Sequence, residues 1–491
     1  MTDKKVKIAI IGGGVAGSSA ALYFAQLGLD ITLFEKESSL ISGPPFCHLH
    51  AGGNLYPEIS DEQCLTLLKQ SIDFLRFYPF IVDYRPTVIA LPLVCGTTPK
   101  ELLPRLELLK GRYEALIHKD RKNKVLGESA EYYRCYEKEE LKILQQKDPV
   151  KIPKNCNEWM ITVAKNIDFE KVQFPLIMVQ EYGLNLFRLA SSMTYMLEAE
   201  KSVTLHTKSM VTNVEKTDKD SLWKVSYIKN KKLQEKEFDY LINAAGFRAG
   251  IIDDFLEIEC KKHVEFKAAY VSHCDTYKDT LFPEIIFHGK RGTPEGMGQF
   301  TPYPHGYFQL HGMTHDITLY EDGLVANTEL SCQPKLGQNF IDKIEKEWTK
   351  KETNTRTNSA IKHLSNFIPS FMDASVASQP LFGAQQIPGD DPTLRVAEVS
   401  FPLSHYARCE IVKVSSVMDM IDAIISEFVK LGYVDKIVQG KRDYSHLNIL
   451  KEGQIHSLAQ KLAKERHYPR ELASRIVAIN TLKSTVLKNL I

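Results

Sequence analysis

The stretch VKIAIIGGGVAGSSAALYFAQLGLDITLFE, from Val6 to Glu35, decides the fold of this chain. It begins with a short apolar run, the pattern of a strand buried in a parallel sheet. The run leads into Gly12, Gly14 and Gly17, which have the spacing GxGxxG. In that spacing the first glycine permits a tight turn, the second lets the backbone approach a pyrophosphate, and the third lets the next helix pack closely on the strand. We therefore predict a strand, a phosphate-binding turn and a helix that begins at Val15.

A carboxylate closes the second strand of this unit. The predicted strand covers residues 31–34, and Glu35 follows it, 18 residues after Gly17. A carboxylate at this place can accept hydrogen bonds from ribose hydroxyls and would repel a 2′-phosphate. The order of strand, turn, helix, strand and acid indicates a dinucleotide site, although an ordinary βαβ unit with a glycine-rich turn is the alternative. By itself the motif disfavours NADP and leaves NAD and FAD open.

Composition limits the classes of protein. The 491 residues predict two or three domains, and 43% hydrophobic with 25% charged residues is typical of an ordinary globular protein. A formal net charge of +1 gives no reason to expect a nucleic-acid partner. The nine cysteines include no CxxC pair, which favours reduced thiols in the cytoplasm over a disulfide framework or a zinc site. We find no metal-ligand spacing, and no apolar run approaches the ~18 to 20 residues of a membrane span.

The rest of the chain alternates between helical and strand patterns. Helical spacing covers residues 61–77, 180–200 and 334–367, and a further helix is predicted from near Ser415 to Gly432. Between Lys267 and Asp316, four short runs rich in aromatic and β-branched residues are typical of an antiparallel sheet.

The segment from Lys430 to Ile491 is basic, with twelve Lys or Arg against five Asp or Glu. It holds two amphipathic stretches, Gln454–Arg466 and Glu471–Leu490. A basic amphipathic tail can lie on an anionic membrane surface. The alternative, which we favour, is a small helical cap packed on the body with a solvated basic face.

Several of these features together resemble the flavoproteins of the D-amino-acid oxidase superfamily. They are GGGVAG with Glu35, a strand around Val211, and the motif AAG at Ala244 to Gly246, about 230 residues after the first motif. The wide separation of the two motifs favours FAD over NAD, because a domain that binds only NAD is completed in one continuous block. The superfamily includes glycine and sarcosine oxidases, dimethylglycine dehydrogenase and malate:quinone oxidoreductase.

The resemblance implies an α/β fold in three parts. We expect a discontinuous Rossmann-like FAD-binding domain from residues 1–95, 170–250 and 380–430. A substrate domain with a mostly antiparallel sheet would come from residues 96–169 and 251–379, and would cover the flavin. Residues 431–491 would form the helical C-terminal extension.

The resemblance also assigns residues to FAD. The glycine motif would bind the pyrophosphate, Glu35 the adenosine ribose, and backbone near Val211 the adenine. The loop HLHAGG would reach the isoalloxazine, and His50 falls where the dimethylglycine dehydrogenase group carries covalent flavin. Near residue 405 the chain has SHYARCEIVKVSS where relatives show a glycine-rich turn. The predicted cofactor-binding residues are Gly12, Gly14, Val15, Ala16, Gly17, Glu35, Lys36, His50, Ala51, Gly52, Val211, Ala245 and Gly246.

The implied chemistry is the removal of a hydride from a small hydroxy acid or amino acid. Electrons would pass to oxygen or, if the tail lies on the inner face of a membrane, to quinone. His50 and His311 are the candidate catalytic histidines, and Arg408 is the candidate ligand of a substrate carboxylate, followed by Arg248 and Arg291. Pocket-lining candidates on the predicted sheet are Gln299, Tyr303 and Tyr307. The alternatives are an FAD monooxygenase or halogenase that uses NAD(P)H, and a non-catalytic dinucleotide-binding protein.

Overall fold

The computed structural model describes residues 5–44, 46–54, 59–217 and 222–476, and of residues 46–48 it describes the backbone alone. These ranges contain eleven α-helices. They are α1 (Val15–Gln26), α2 (Asp61–Phe77), α3 (Pro99–Lys119), α4 (Lys138–Gln145), α5 (Cys156–Asn166), α6 (Leu186–Ala199), α7 (Ala249–Phe255), α8 (Gln338–Glu345), α9 (Lys350–Ser365), α10 (Val417–Lys430) and α11 (Glu452–Glu465). The helices predicted over 61–77 and after Val15 are thus confirmed.

The same ranges contain the strands of four sheets. In chain order they are β1 (Lys7–Ile11), β2 (Asp30–Phe34), β3 (Phe46–His48), β4 (Val82–Asp83), β5 (Thr87–Ala90), β6 (Tyr133–Tyr136), β7 (Leu176–Val179), β8 (Gly183–Asn185), β9 (Val203–His206), β10 (Ser209–Lys216), β11 (Trp223–Lys229), β12 (Lys232–Phe238), β13 (Tyr240–Asn243), β14 (Lys262–His273), β15 (Glu284–Phe287), β16 (Gly298–Tyr303), β17 (Tyr307–Gly312), β18 (Leu324–Ala326), β19 (Ser375–Val376), β20 (Leu381–Pro388), β21 (Val399–Ser400) and β22 (Tyr406–Cys409).

A parallel sheet with the order β21-β22-β13-β1-β2-β9 forms the centre of the first domain, and its one antiparallel pair is β21 with β22. Its strand β1 lies between β2 and β13, so Ile10 pairs with both Leu33 and Ile242. Helices α1 and α10 pack together on one face, where the rings of Phe24 and Phe428 are 4.9 Å apart. The antiparallel sheet β10-β11-β12 covers the other face, with Trp223 in the shared core. This layered arrangement, drawn from distant parts of the chain, confirms the predicted discontinuous Rossmann-like α/β domain.

A second, larger sheet has the order β18-β14-β17-β16-β15-β5-β7-β6, with β19 and β20 also paired to β14. All its pairs are antiparallel except β5 with β15, which confirms the predicted mostly antiparallel sheet. One face is apolar and packs on α9 and the segment after it, where the rings of Phe287 and Phe367 stack with centroids 4.2 Å apart. We call this sheet the cover sheet. Strands β5, β7 and β20 belong to it although they fall inside the predicted FAD segments, so the predicted domain boundaries stay a prediction.

The described part of the C-terminal segment packs on the nucleotide domain through α11 and α6. The guanidinium of Arg188, whose side chain is 1% exposed, forms an ion pair of 2.7 Å with Glu452. The hydroxyl of Ser191 donates to the carbonyl of Ile455 at 3.0 Å. The helix predicted over 454–466 is therefore confirmed with slightly different ends, whereas most of the helix predicted over 471–490 lies outside the described residues. Within the described ranges, no helix is long and apolar enough to cross a membrane.

Candidate FAD and substrate site

The three glycines of the GxGxxG turn differ in how much space surrounds them. Gly12 has φ +104°, and a Cβ there would lie 2.4 Å from the carbonyl oxygen of Ala244. A Cβ on Gly17 would lie 1.9 Å from the carbonyl oxygen of Gly12. Gly14, the N-cap of α1, has no atom within 4 Å of such a Cβ. Packing therefore requires two of the glycines, while Gly14 faces the open space at the helix N-terminus where a pyrophosphate fits.

The carboxylate of Glu35 lies against this turn. One of its oxygens accepts a hydrogen bond from the backbone N–H of Gly13 and the other from that of Glu37, each at 2.7 Å. Burial raises the pKa of Glu35 above its ordinary value. Lys36 is exposed and forms an ion pair of 3.2 Å with Glu37. The structure thus brings the predicted ribose-binding acid next to the predicted phosphate turn.

The second glycine motif meets the first. The N–H of Ala244 donates to the carbonyl of Ile11 at 2.8 Å, in line with the pairing of β13 and β1. Gly246, two residues on, has φ +61° and open space where a side chain would stand. Val211 lies in the three-stranded sheet and packs on the apolar core beneath it. This core includes Phe34, at the end of β2. Both regions predicted from the resemblance therefore border the ends of β1 and β2.

The loop after β3 is fixed by a buried acid. Gly52 has φ +106°, and a Cβ there would lie 2.8 Å from the carbonyl oxygen of Cys64 in α2. The next residue, Gly53, donates its N–H to Glu181 at 2.6 Å. Glu181 is fully buried, and burial raises its pKa to about 7. The carbonyl of His50 accepts from the hydroxyl of Ser71 at 3.2 Å, which ties the loop to α2 a second time. Sequence reasoning missed Glu181, although a carboxylate directly after an apolar strand was a usable signal.

The other face of the cover sheet contacts two segments of the domain that holds the glycine motif. Strand pairing sets Glu265 opposite Gln385 and Lys267 opposite Gly383, so the four side-chain positions share one face. Gln385 donates to the carbonyl of Val412 at 2.9 Å, just before α10. A Cβ on Gly383 would lie 2.2 Å from a ring carbon of Pro44, in the segment that follows Glu35. This face of the cover sheet therefore borders the dinucleotide-binding domain.

Polar side chains fill that face. The register from β14 through β17, β16 and β15 places alternate residues of each strand on it. The residues on this polar face include Glu265, Lys267, Glu284, Gln299, Thr301, Tyr303, Tyr307, Gln309 and His311. The predicted pocket residues Gln299, Tyr303, Tyr307 and His311 are thus brought together.

A charged cluster with excess positive charge lies at one end of the polar face. Glu265 accepts from the ammonium of Lys267 at 2.6 Å and from the guanidinium of Arg291 at 2.9 Å. Burial alone would raise the pKa of Glu265, but the two cations hold it at about 2. Burial lowers the pKa of Lys267. Two cations share one carboxylate, so the cluster is suited to an anionic group. Sequence reasoning named Arg291 and missed the other two residues.

The other candidate catalytic residues have these positions. His311 lies inside β17, with Nδ1 3.1 Å from the carbonyl oxygen of Ala268. Arg408 lies in β22 and forms ion pairs with Asp253 at 3.2 Å and with Glu410 at 2.8 Å. Arg248 pairs with Glu345 of α8. The role of Arg408 as a substrate ligand stays a prediction, and two carboxylates of its own chain already balance its charge.

Comparison with known proteins agrees with this geometry. Residues 7–89 match the protein family described as FAD dependent oxidoreductase. This segment includes β1, α1, β2 and the loop after β3. The predicted resemblance to the D-amino-acid oxidase superfamily is confirmed. The description of the matched family agrees with FAD as the predicted cofactor and with an oxidoreductase as the predicted enzyme class.

Two solved structures of this fold and one curated relative illustrate the likeness. NikD, an amino acid oxidase, has a TM-score of 0.57 at 10% identity, covering 90% of this chain and 96% of its own. The glycerol-3-phosphate dehydrogenase from Bacillus halodurans, complexed with FAD, has a TM-score of 0.54 at 13% identity, covering 96% of this chain and 74% of its own. A thiamine thiazole synthase from Pyrobaculum aerophilum is 33% identical over 101 residues, 21% of this chain. This chain spans only 33% of the length of that relative, and the match is to a segment rather than to the whole protein.

Proposed function

We propose that the protein is an FAD-dependent oxidoreductase that removes a hydride from a small anionic molecule, such as an amino acid, a hydroxy acid or a glycerophosphate. The observation that carries this proposal is the cationic cluster of Lys267 and Arg291 on the face of the cover sheet whose neighbouring strand β20 contacts Pro44 and Val412 of the proposed FAD-binding domain. The names of the similar structures, an amino acid oxidase and a glycerol-3-phosphate dehydrogenase, support the same substrate range.

The residues around the turn suit FAD. The open space at Gly14 and the N-terminus of α1 would hold the pyrophosphate, and Glu35 would accept from the ribose. The loop from Ala51 to Gly53 would lie along the ring system, with Glu181 holding its backbone. When bound, FAD supplies the nitrogen that accepts the hydride. The segments 1–95, 170–250 and 380–430 remain our proposed FAD-binding domain, 96–169 and 251–379 the proposed cover domain.

Residues of the polar face would orient the substrate and take up its proton. Lys267 and Arg291 would hold the anionic group, which fixes the carbon that loses hydride. The O–H or N–H proton must also leave, and His311 is the candidate acceptor. Nδ1 of His311 lies 3.1 Å from the carbonyl oxygen of Ala268 and 3.3 Å from the hydroxyl of Thr318. In the tautomer that donates from Nδ1 to this carbonyl, Nε2 would be the basic nitrogen. Electrons would then pass to oxygen or a quinone.

The decisive experiment is anaerobic reduction of the purified protein. We expect a flavin absorbance spectrum that bleaches with at least one member of a panel of amino acids, hydroxy acids and glycerol 3-phosphate. Flavin in the supernatant after acid precipitation would rule out a covalent bond to His50. Bleaching by NADPH alone would contradict the proposal in favour of a monooxygenase, and a flavin that no compound reduces would favour a non-catalytic role.

A further inference from the structure

Two cysteines that are far apart in sequence meet beside helix α7. The sulfur atoms of Cys260 and Cys332 lie within 4.8 Å of one another. The thiol of Cys260 also lies 3.8 Å from the carbonyl oxygen of Cys332. Cys332 is 3% exposed, whereas Cys260 is partly exposed. No CxxC motif predicts this pair, because the two residues are far apart in the sequence and become neighbours only in the folded protein.

Hydrogen bonds fix the two backbone segments relative to each other. The carboxylate of Asp254 accepts from the N–H of Cys332 and from the hydroxyl of Ser331, both at 2.6 Å. The side-chain amide of Asn327 donates to the carbonyl of Cys260 at 2.9 Å and to that of Ser331 at 3.0 Å. The separation of the two thiols is therefore a consequence of a clamped backbone.

This pair lies beside the helix that follows the second glycine motif. A Cβ on Gly250, in α7, would lie 2.3 Å from the carbonyl oxygen of Cys332. The side chain of Gln333 donates to the carbonyl of Phe247 at 3.0 Å. The turn that carries Cys332 thus rests on the helix that directly follows Gly246, and Cys260 stands just before β14 of the cover sheet.

A metal ion is a poorer occupant of this cluster than a covalent bond. Asp253 also has an oxygen within 4.8 Å of both sulfurs, which gives three ligand atoms of two types. Its carboxylate already accepts from Lys262 at 3.0 Å, from Arg408 at 3.2 Å and from the hydroxyl of Tyr406 at 2.6 Å. A divalent cation would have to compete with two positive side chains for the same carboxylate.

We propose that Cys260 and Cys332 form a reversible disulfide when the protein meets hydrogen peroxide, and that the bond links the segment between α7 and β14 to the turn that carries Cys332. The thiolate of Cys260 attacks one peroxide oxygen, the O–O bond breaks, and a sulfenic acid and water result. The sulfur of Cys332 then attacks that sulfenic sulfur. The S–S bond forms, the S–O bond breaks, and the leaving hydroxide takes the thiol proton as water. In sum two thiols are oxidised and one peroxide is reduced to two waters.

The surroundings of the two thiols give them different roles in the two oxidation steps. Burial raises the pKa of the Cys332 thiol to about 12, so it stays protonated until the second step. Cys260 is the more exposed residue of the pair, so in this proposal it meets the oxidant first. A disulfide holds its sulfurs at about 2.05 Å, so one thiol must rotate toward the other.

The test uses the reduced full-length protein treated with hydrogen peroxide. After free thiols are blocked and the protein digested, mass spectrometry should find one linked peptide pair that contains Cys260 and Cys332, and dithiothreitol should abolish it. The oxidised protein should unfold at a higher temperature than the reduced one, because the link closes a long loop of the unfolded chain. Cys260→Ser should lose both effects, and Cys135→Ser, which removes another partly exposed thiol, should keep them.

Three outcomes would overturn the proposal. One is that both cysteines stay unlinked at peroxide levels that oxidise Cys135. Another is stoichiometric zinc that wild type retains and Cys260→Ser loses, which would make the cluster a metal site. A third is an equal rise in unfolding temperature in Cys260→Ser. The comparison of oxidised with reduced wild-type protein needs no variant, so a folding defect in Cys260→Ser would leave the test intact.

Discussion

Oxygen Oε1 of Glu181 lies 2.6 Å from the backbone nitrogen of Gly53. The acid follows strand β7 of the cover sheet, and the glycine belongs to the loop predicted to reach the flavin. Because Glu181 is fully buried, its protonation state changes the interaction between the cover sheet and this loop.

Replacement of Glu181 by Gln should change how stability depends on pH. Burial raises the pKa of Glu181 from 4.5 to about 7 in the folded protein. Between these pH values the folded state binds more protons than the unfolded state, so this group makes the protein less stable as pH rises, by on the order of 3 kcal/mol in total. Gln cannot titrate and keeps an oxygen that accepts from Gly53. Urea unfolding at several pH values measures the free energy of unfolding of each protein. The value for wild type minus the value for Glu181→Gln should fall as pH rises from 4.5 to about 7, and parallel plots of the two values against pH would contradict the prediction.

Two alanine substitutions in the glycine motif should have separable effects. Gly17→Ala sets a Cβ 1.9 Å from the carbonyl oxygen of Gly12 and should lower the free energy of unfolding by about 3 kcal/mol or more. Gly14→Ala meets no protein atom, and the torsions of Gly14, φ −69° and ψ −171°, suit any residue. It should keep the unfolding temperature of the FAD-free protein and weaken FAD binding by about tenfold or more, about 1.4 kcal/mol. Fluorescence titration with FAD measures the second effect, and unchanged affinity would contradict the proposed position of the pyrophosphate.

Loss of either cation of the polar face should weaken the binding of an anionic substrate. Lys267→Met and Arg291→Gln each remove one partner of Glu265 and one positive charge. We expect KM to rise about tenfold or more, since a charge-assisted hydrogen bond contributes about 1.5 to 3 kcal/mol. Arg470→Gln is the matched control, because the side chain of Arg470 is 73% exposed on the surface. Equal KM values in Arg291→Gln and Arg470→Gln would rule out a role in substrate binding for Arg291.

The C-terminal segment should stabilise the loop that follows Glu35. The guanidinium of Arg466 donates to the carbonyls of Leu40 at 2.9 Å and Ile41 at 3.0 Å and to the hydroxyl of Ser39 at 3.0 Å. Arg466→Gln should lower the free energy of unfolding by about 1 to 3 kcal/mol, because buried carbonyls lose their donors. Lys461→Gln, at an exposed position of α11, should change it by less than about 0.5 kcal/mol. The prediction fails if urea denaturation gives the two variants the same midpoint.

The sequence predicted the helices and turns whose residues follow a regular local pattern. Helix α2 has the predicted ends because its apolar spacing is regular and Ser60 caps it. The first glycine motif could be assigned because either packing or the expected ligand requires a glycine at each of its three positions. Strand β12 was missed, since its charged side chains are exposed and show no apolar alternation.

The substrate side of the site could not be predicted in the same way. Glu265 and Lys267 share a face with Gln299 and His311 only because β14, β17 and β16 pair in one register. A shift of one residue would place them on the opposite face, and sequence spacing does not specify that register. The neighbours of Arg408 and the approach of Cys260 to Cys332 likewise depend on contacts between residues that are far apart in the chain.

The contact of Arg466 with Ile41 has a consequence for synthesis on the ribosome. The turn at Gly12 is made long before Arg466, yet the loop beside it acquires these donors only when residue 466 has emerged. At ordinary rates of translation this interval is about 20 to 90 s. For about the first half of that time β1 also lacks its neighbour β13, so the apolar strand is open to misfolding or to capture by chaperones. The cofactor site is therefore completed late, after nearly all of the described residues have been made.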